Sequence, residues 1–193
     1  MKKFVFILLC AALTFSLAGC MQGEYTDVND TPDTSLPAPT SHDELYSLYN
    51  KIQRDMTKAQ ADALFGDGEP VLDDYGDIKY YNYLNDKKSA GVSVIYDVDD
   101  VVKTKLLWFN SKKSLVPFSG RYDNDKISKV KSGMTVEKAV EVMGSSPLEL
   151  SCTFGNEGPL NMKKIYCWYN EDTSNFMLHT DDGTIENVVL YRN

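Results

Sequence analysis

Two histidines, four cysteines and several acidic pairs are the side chains here whose type could do chemistry. His42 falls at a helix start and His179 on a strand, in different parts of the chain, and neither has metal-ligand spacing to a cysteine. The run Asp97-Val-Asp-Asp100 suggests a calcium loop but lacks that motif's glycine and distal glutamate. It reads instead as a solvated hairpin, and Asp73-Asp74 and Asp181-Asp182 read as turn acids. No Gly-x-Ser-x-Gly, Walker loop or His-Glu-x-x-His is present. The expectation is no catalytic residue, no metal site and no cofactor. His42 reads as a solvent-facing first-turn residue. His179 reads as a strand residue facing either water or a partner.

The cysteines take their meaning from the N-terminus. Lys2 and Lys3 form a basic start, Phe4–Leu17 an apolar run, and Leu17-Ala18-Gly19-Cys20 a small-residue end before a cysteine. This resembles the lipobox of bacterial lipoproteins. It implies a diacylglyceryl group on the Cys20 thiol and cleavage that removes residues 1–19. The apolar run is short for a spanning helix. Cys10 would leave with the signal, and Cys152 and Cys167 would remain in an oxidising compartment. That pair reads as one disulfide, or else as two free buried thiols. A bond closing so short a loop would contribute roughly 3 kcal/mol.

Cleavage removes two lysines and no acid, leaving 28 acidic against 18 basic side chains and a net charge near −10. Such a surface disfavours nucleic acid and any polybasic grip on anionic lipid. Lipid at the N-terminus is thus the expected membrane contact, on the outer face of the plasma membrane or on an outer membrane. Residues 20–40 carry Pro32, Pro37 and Pro39 among polar residues, too little apolar surface to fold. As a flexible tether they would hold the body roughly 25 Å from its anchor.

The rest repeats itself. Met56-Thr57 to Gly66 matches Met134-Thr135 to Gly144 at an offset of 78 residues, and Ile52 and Val130 precede the two blocks at the same offset. Ser41-His-Asp-Glu44 is a capping box, and Leu45, Leu48, Tyr49 and Ile52 form one helix face. Thr57 and Thr135 cap further helices, with Met56/Ala61 and Met134/Ala139 at staple positions and Gly66 and Gly144 as stops. Asp55 and Gly133, just before the staple methionines, tolerate left-handed backbone, as a tight turn would need. The period then becomes two, predicting strands 78–84, 91–96, 101–109, 148–154, 162–169, 176–180 and 184–192. Asp97–Asp100 and Asp181-Asp182-Gly183 are the matching hairpin turns.

The expected fold is α+β: two tandem helix–helix–antiparallel β-meander units forming an extended sheet. The units span 41–109 and 123–193, joined by a linker at 110–122. Each sheet would pack helices on one face and leave the other open.

Gly133-Met134-Thr135, the helix stop at Gly144, Cys167-Trp168 and the Asp182-Gly183 turn resemble the superfamily that joins SmpA/OmlA-type lipoproteins with β-lactamase inhibitory proteins. The resemblance covers about residues 43–193. Outer-membrane members carry one such unit behind a lipobox, and the inhibitory proteins carry two, each with a disulfide. Cys152 and Cys167 match the second-unit disulfide. The first unit departs, with Asp55 for glycine and no cysteines.

In the inhibitory proteins an aromatic-rich concave sheet face grips the target enzyme. Counting back from the turns pairs Tyr96 with His179 and Trp108 with Tyr191. His179 and Tyr191 match positions of contact tryptophans. The chain carries 12 Tyr, 8 Phe and 2 Trp, many on predicted strands, and Tyr and Trp are common interface anchors. Alternation turns about half of the strand aromatics toward the helices as core. Tyr96, Trp108, Tyr166, Trp168, His179 and Tyr191 are the partner-binding candidates. The function expected is a lipid-anchored module in the bacterial envelope that binds or inhibits an envelope enzyme. The alternative is a structural accessory of an outer-membrane assembly complex.

Overall fold

The computed structural model describes residues 41–73, 75–76, 78–155 and 162–192. The signal segment, Cys20 and the tether lie outside them. Helix α1 spans His42–Lys51, and Ser41 Oγ caps it by accepting the Glu44 amide at 3.1 Å. Its apolar stripe turns Leu45 and Tyr49 inward, and Ile52, the extended C-cap residue, is buried with them. Helix α2 spans Lys58–Phe65 behind a complete capping box between Thr57 and Gln60. Helix α4, Val136–Met143, has Thr135 accepting the Lys138 amide at 3.3 Å.

Before each of these caps the backbone turns left-handed, with φ 65° at Asp55 and 86° at Gly133. The same one-turn bond follows at both places: Met56 N–H to Gln53 O, and Met134 N–H to Lys131 O. The positive φ at an aspartate is strained relative to glycine.

Eight strands follow: β1 Glu69–Leu72, β2 Ile78–Leu84, β3 Ala90–Tyr96, β4 Val102–Phe109, β5 Leu148–Phe154, β6 Met162–Tyr169, β7 Asn175–Asp181 and β8 Thr184–Tyr191. Strand β1 has no counterpart in the sequence reading, because four residues containing Pro70 give no period.

The expected fold class is corrected. The strands form one antiparallel sheet in the order β1 to β8, mostly β with few short helices, rather than two helix–helix–meander units. The join is β4 to β5, through Thr104↔Thr153, Lys105↔Cys152 and Leu106↔Ser151. A meander ending at β4 leaves an unpaired edge, and β5 satisfies it. The expected leading helix of the second half shrinks to α3, Asn124–Ile127, because at the positions matching Leu45 and Leu48 the stretch carries Asp123 and Lys126, which halves the apolar face.

The helices lie on one face of the sheet. A larger core cluster gathers Leu45, Tyr49, Ala61, Phe65 and Tyr83 with the middle strands, and a second gathers Val130, Ala139, Met143, Trp168, Phe176 and Ile185. The linker is fastened rather than loose. Its Ser119 Oγ accepts the Tyr169 amide at 3.0 Å, Arg121 donates to the Tyr169 carbonyl at 3.2 Å, and Leu115 is buried.

Candidate functional site

Alternation along the strands sorts every side chain to one face or the other. Tyr83, Val92, Val94, Leu107, Trp168, Phe176 and Leu178 point toward the helices and are buried. The alternate positions fall into register as a row across seven strands: Asn82, Ser93, Leu106, Ser151, Ile165, His179 and Asn187. No helix among the described residues covers this row, and all but Ser151 are half-buried or exposed. Beside it lie Trp108, Met177, Val189 and Tyr191.

Trp108 owes its position to Gly91, its register partner. A Cβ at Gly91 would stand 2.8 Å from the Trp108 ring, so only glycine lets the indole lie against the strand. Leu148, Cys167 and Tyr169 share the parity but are buried, in one cluster with Leu115 of the linker, and the uncovered region stops there.

Three of the six candidates fall on the uncovered face: Trp108, His179 and Tyr191, the last 48% exposed. The other three are corrected. Trp168 is 0% exposed, and its indole N–H donates to the Ser145 carbonyl at 3.0 Å. Tyr166 packs in the second core cluster on the helix side. Tyr96 turns to the helix side, its hydroxyl 2.7 Å from that of Tyr83, which donates to Asp62 of α2 at 2.8 Å.

The pairing of Tyr96 with His179 was off by one. Val102 N–H bonds Met56 O as Ile185 N–H bonds Met134 O, which makes Val102 and Ile185 equivalent. Tyr96 pairs with Val102, and Thr180 with Ile185. Tyr96 therefore corresponds to Thr180, and His179 to Ile95. The first turn is one residue longer, and a one-residue slip moves a side chain to the other face.

The expected disulfide is not formed: Cys152 and Cys167 are both free and buried. Cys152 pairs with Lys164, three residues from Cys167 along β6, so alternation sends the two thiols to opposite faces. Burial pushes Cys152 up to about 11 and Cys167 up to about 12, which keeps both protonated and poor as nucleophiles.

A charged group on the helix side went unnoticed in the sequence. Lys105 Nζ, buried, donates to the carbonyls of Tyr49 (3.1 Å) and Ile52 (3.0 Å), closing the C-terminal end of α1. Glu149 stands 3.7 Å from Lys105 and 2.8 Å from Lys164, and accepts from the Tyr49 hydroxyl at 3.2 Å. Burial lowers Lys105, with Glu149 opposing. Burial, the largest single influence, works to lower Lys164, but the hydrogen bond and charge of Glu149, with Tyr166 and Cys152 nearby, together raise that ammonium above its usual range.

A depression of about 400 Å³ beside this group is lined by Arg54, Glu149, Cys152 and Met162 among others. The signal for Lys105 was its inward place in the β4 alternation. Among the described residues no three His, Cys, Asp or Glu side chains gather to hold a metal ion, and no helix is long and apolar enough to cross a membrane.

No family model matches the chain, and no curated protein matches it. Among solved structures, one likeness is to a crystal structure of a DUF4309 family protein, YjgB, from Bacillus subtilis subsp. subtilis str. 168. It is 16% identical, covers 78% of this chain and 95% of that one, and has a TM-score of 0.31. Nothing about function follows from a likeness at that level.

Proposed function

We propose that this chain is a lipid-anchored, extracytoplasmic protein-binding module of the bacterial envelope, docking a partner on the uncovered face of its sheet. The observation that carries the reading is that face itself: Trp108 and Tyr191 stand on it with Leu106, Ile165, Met177 and Val189, away from the helices. Aromatic anchors on a rigid sheet bury much area for little lost side-chain freedom. The resemblance over residues 43–193 supplies the class of partner, an envelope enzyme of the β-lactamase or penicillin-binding kind, and is part of the proposal. Cys20 supplies the anchor, and the acidic tether gives the body its reach.

The test is a crosslinking pull-down from intact cells, with a Cys20→Ala control. One soluble-domain enzyme at near-equal amounts supports the reading and names the target. A set of membrane-assembly components overturns it in favour of the accessory role. With a target in hand, Trp108→Ala plus Tyr191→Ala weakens binding by at least ~2 kcal/mol while thermal unfolding stays cooperative.

A further inference from the structure

The two halves treat the outer edge of their last strand differently. Along β4, Lys58 N–H bonds Asp100 O and Val102 N–H bonds Met56 O, so the segment before α2 covers the strand's start. Beyond it, Thr104–Leu106 pair with β5. Along β8 the first device recurs: Val136 N–H bonds Gly183 O and Ile185 N–H bonds Met134 O. The second does not. Asn187–Val189 correspond to Thr104–Leu106, yet among the described residues nothing pairs with their outer side.

Val188, the counterpart of Lys105, has its amide held at 2.9 Å by the side chain of Asn187, which stands in for a neighbouring strand. The other end of the sheet is protected by contrast. Strand β1 has four residues, Pro70, a bulge and a Glu69–Lys88 ion pair. The β8 run Asn187-Val-Val-Leu-Tyr191 has neither charge nor proline.

We propose that β8 pairs antiparallel with β8 of a second copy of this chain, about a two-fold axis through Val189. Opposed residues in an antiparallel pair share a face, so the axis must pass through a residue rather than between two. The open stretch of β8 beyond its bulge runs from Asn187 to Tyr191, and Val189 is its midpoint. Just outside the paired residues this register brings each Glu186, the bulge residue 3.6 Å from Lys163 of its own chain, toward the second copy's Arg192, setting opposite charges near each other at both ends. It sets Val188 opposite Leu190, where the outward amide of Val188 exchanges its side-chain acceptor for a strand carbonyl. Val189 meets its own copy as the closer, non-hydrogen-bonded kind of pair. The two uncovered faces become one continuous surface, with Tyr191 beside the seam.

Disulfide trapping on intact cells tests this with the full chain. Val189→Cys gives a covalent dimer, whereas Val188→Cys, offset from its own copy by two residues, does not. Glu186→Arg lowers the Val189→Cys dimer by about tenfold, and adding Arg192→Glu restores it. Thermal unfolding of each purified variant establishes that it is folded. Absence of the dimer in a folded Val189→Cys protein overturns the proposal. Equal trapping at 188 and 189, indifference to the charge reversals, or Val189→Cys linked instead to a different protein overturns it as well.

Discussion

The first half of the sheet, β1–β4, and the second, β5–β8, solve one packing problem with different chemistry. Each has a left-handed residue, a capped helix and a segment tied to the last hairpin by the same backbone bonds. Under the helix the first half places Tyr83, tied to Asp62 and Tyr96 by its hydroxyl. The second places Trp168, packed on Phe176 at 5.7 Å between ring centroids. By register these two are equivalent, since Tyr83 faces Val92 and Trp168 faces Phe176. One position can thus be filled by a hydrogen-bonded phenol or by a larger apolar ring. On the outer face the halves differ again, with Ile95 where the second half has His179. The same caps and turns frame both interiors.

The largest effect follows from the core pair. Trp168→Ala empties a fully buried site and costs about 3–5 kcal/mol. Tyr83→Phe keeps the ring but removes the hydroxyl shared by Asp62 and Tyr96, leaving Asp62 its ion pair with Lys58, and costs about 1–3 kcal/mol. Denaturant unfolding of the two variants ranks them. A cost for Tyr83→Phe at or above that of Trp168→Ala would mean the polar network, not the ring volume, holds this position.

The left-handed turns come next. Asp55→Gly relieves a positive φ at a non-glycine residue, and Gly133→Ala introduces one. Strain of order 1 kcal/mol at such a position predicts that the first change stabilises and the second destabilises. Glycine also gains freedom in the unfolded chain, which trims the first effect. Opposite shifts in the midpoint of urea unfolding check this, and shifts of the same sign would break the equivalence of the two turns.

Much of this frame was legible because it is local. Thr57 and Thr135 with their staples, Asp55 and Gly133 with their turns, and the period-two runs need only a few residues of context. Three things were not. The pairing of β4 with β5 depends on two strands 49 residues apart at Thr104 and Thr153, and no local pattern announces it. The face of Tyr96 turned on one extra residue in the loop after β3, which an ungapped comparison carried straight through. Alternation along β4 turns Lys105 inward, but its partners, two carbonyls at the end of α1 and Glu149, come from segments far from it in sequence. Of the site, Trp108 and Tyr191 do correspond, because each stands six residues beyond the equivalent Val102 and Ile185.

The smallest effect separates Ile95 from His179. Burial lowers the His179 pKa, and the charge of Glu186 only partly opposes it. In the unfolded chain the imidazole titrates near its ordinary value of about 6.5. Above that pH both states are neutral there and the contribution to stability is fully present. As the pH falls through that value and on through the depressed folded pKa, the unfolded chain takes up the proton more readily, and stability is lost. His179→Ile, which copies the first half, removes this group from the balance. Its melting temperature therefore falls less than that of the parent between pH 7.5 and pH 5, with carboxylate effects common to both chains. Parallel melting curves across that range would show that the imidazole is as well solvated in the folded face as in the unfolded chain. The row through Leu106, Ile165 and His179 would then be wetter than its neighbours imply.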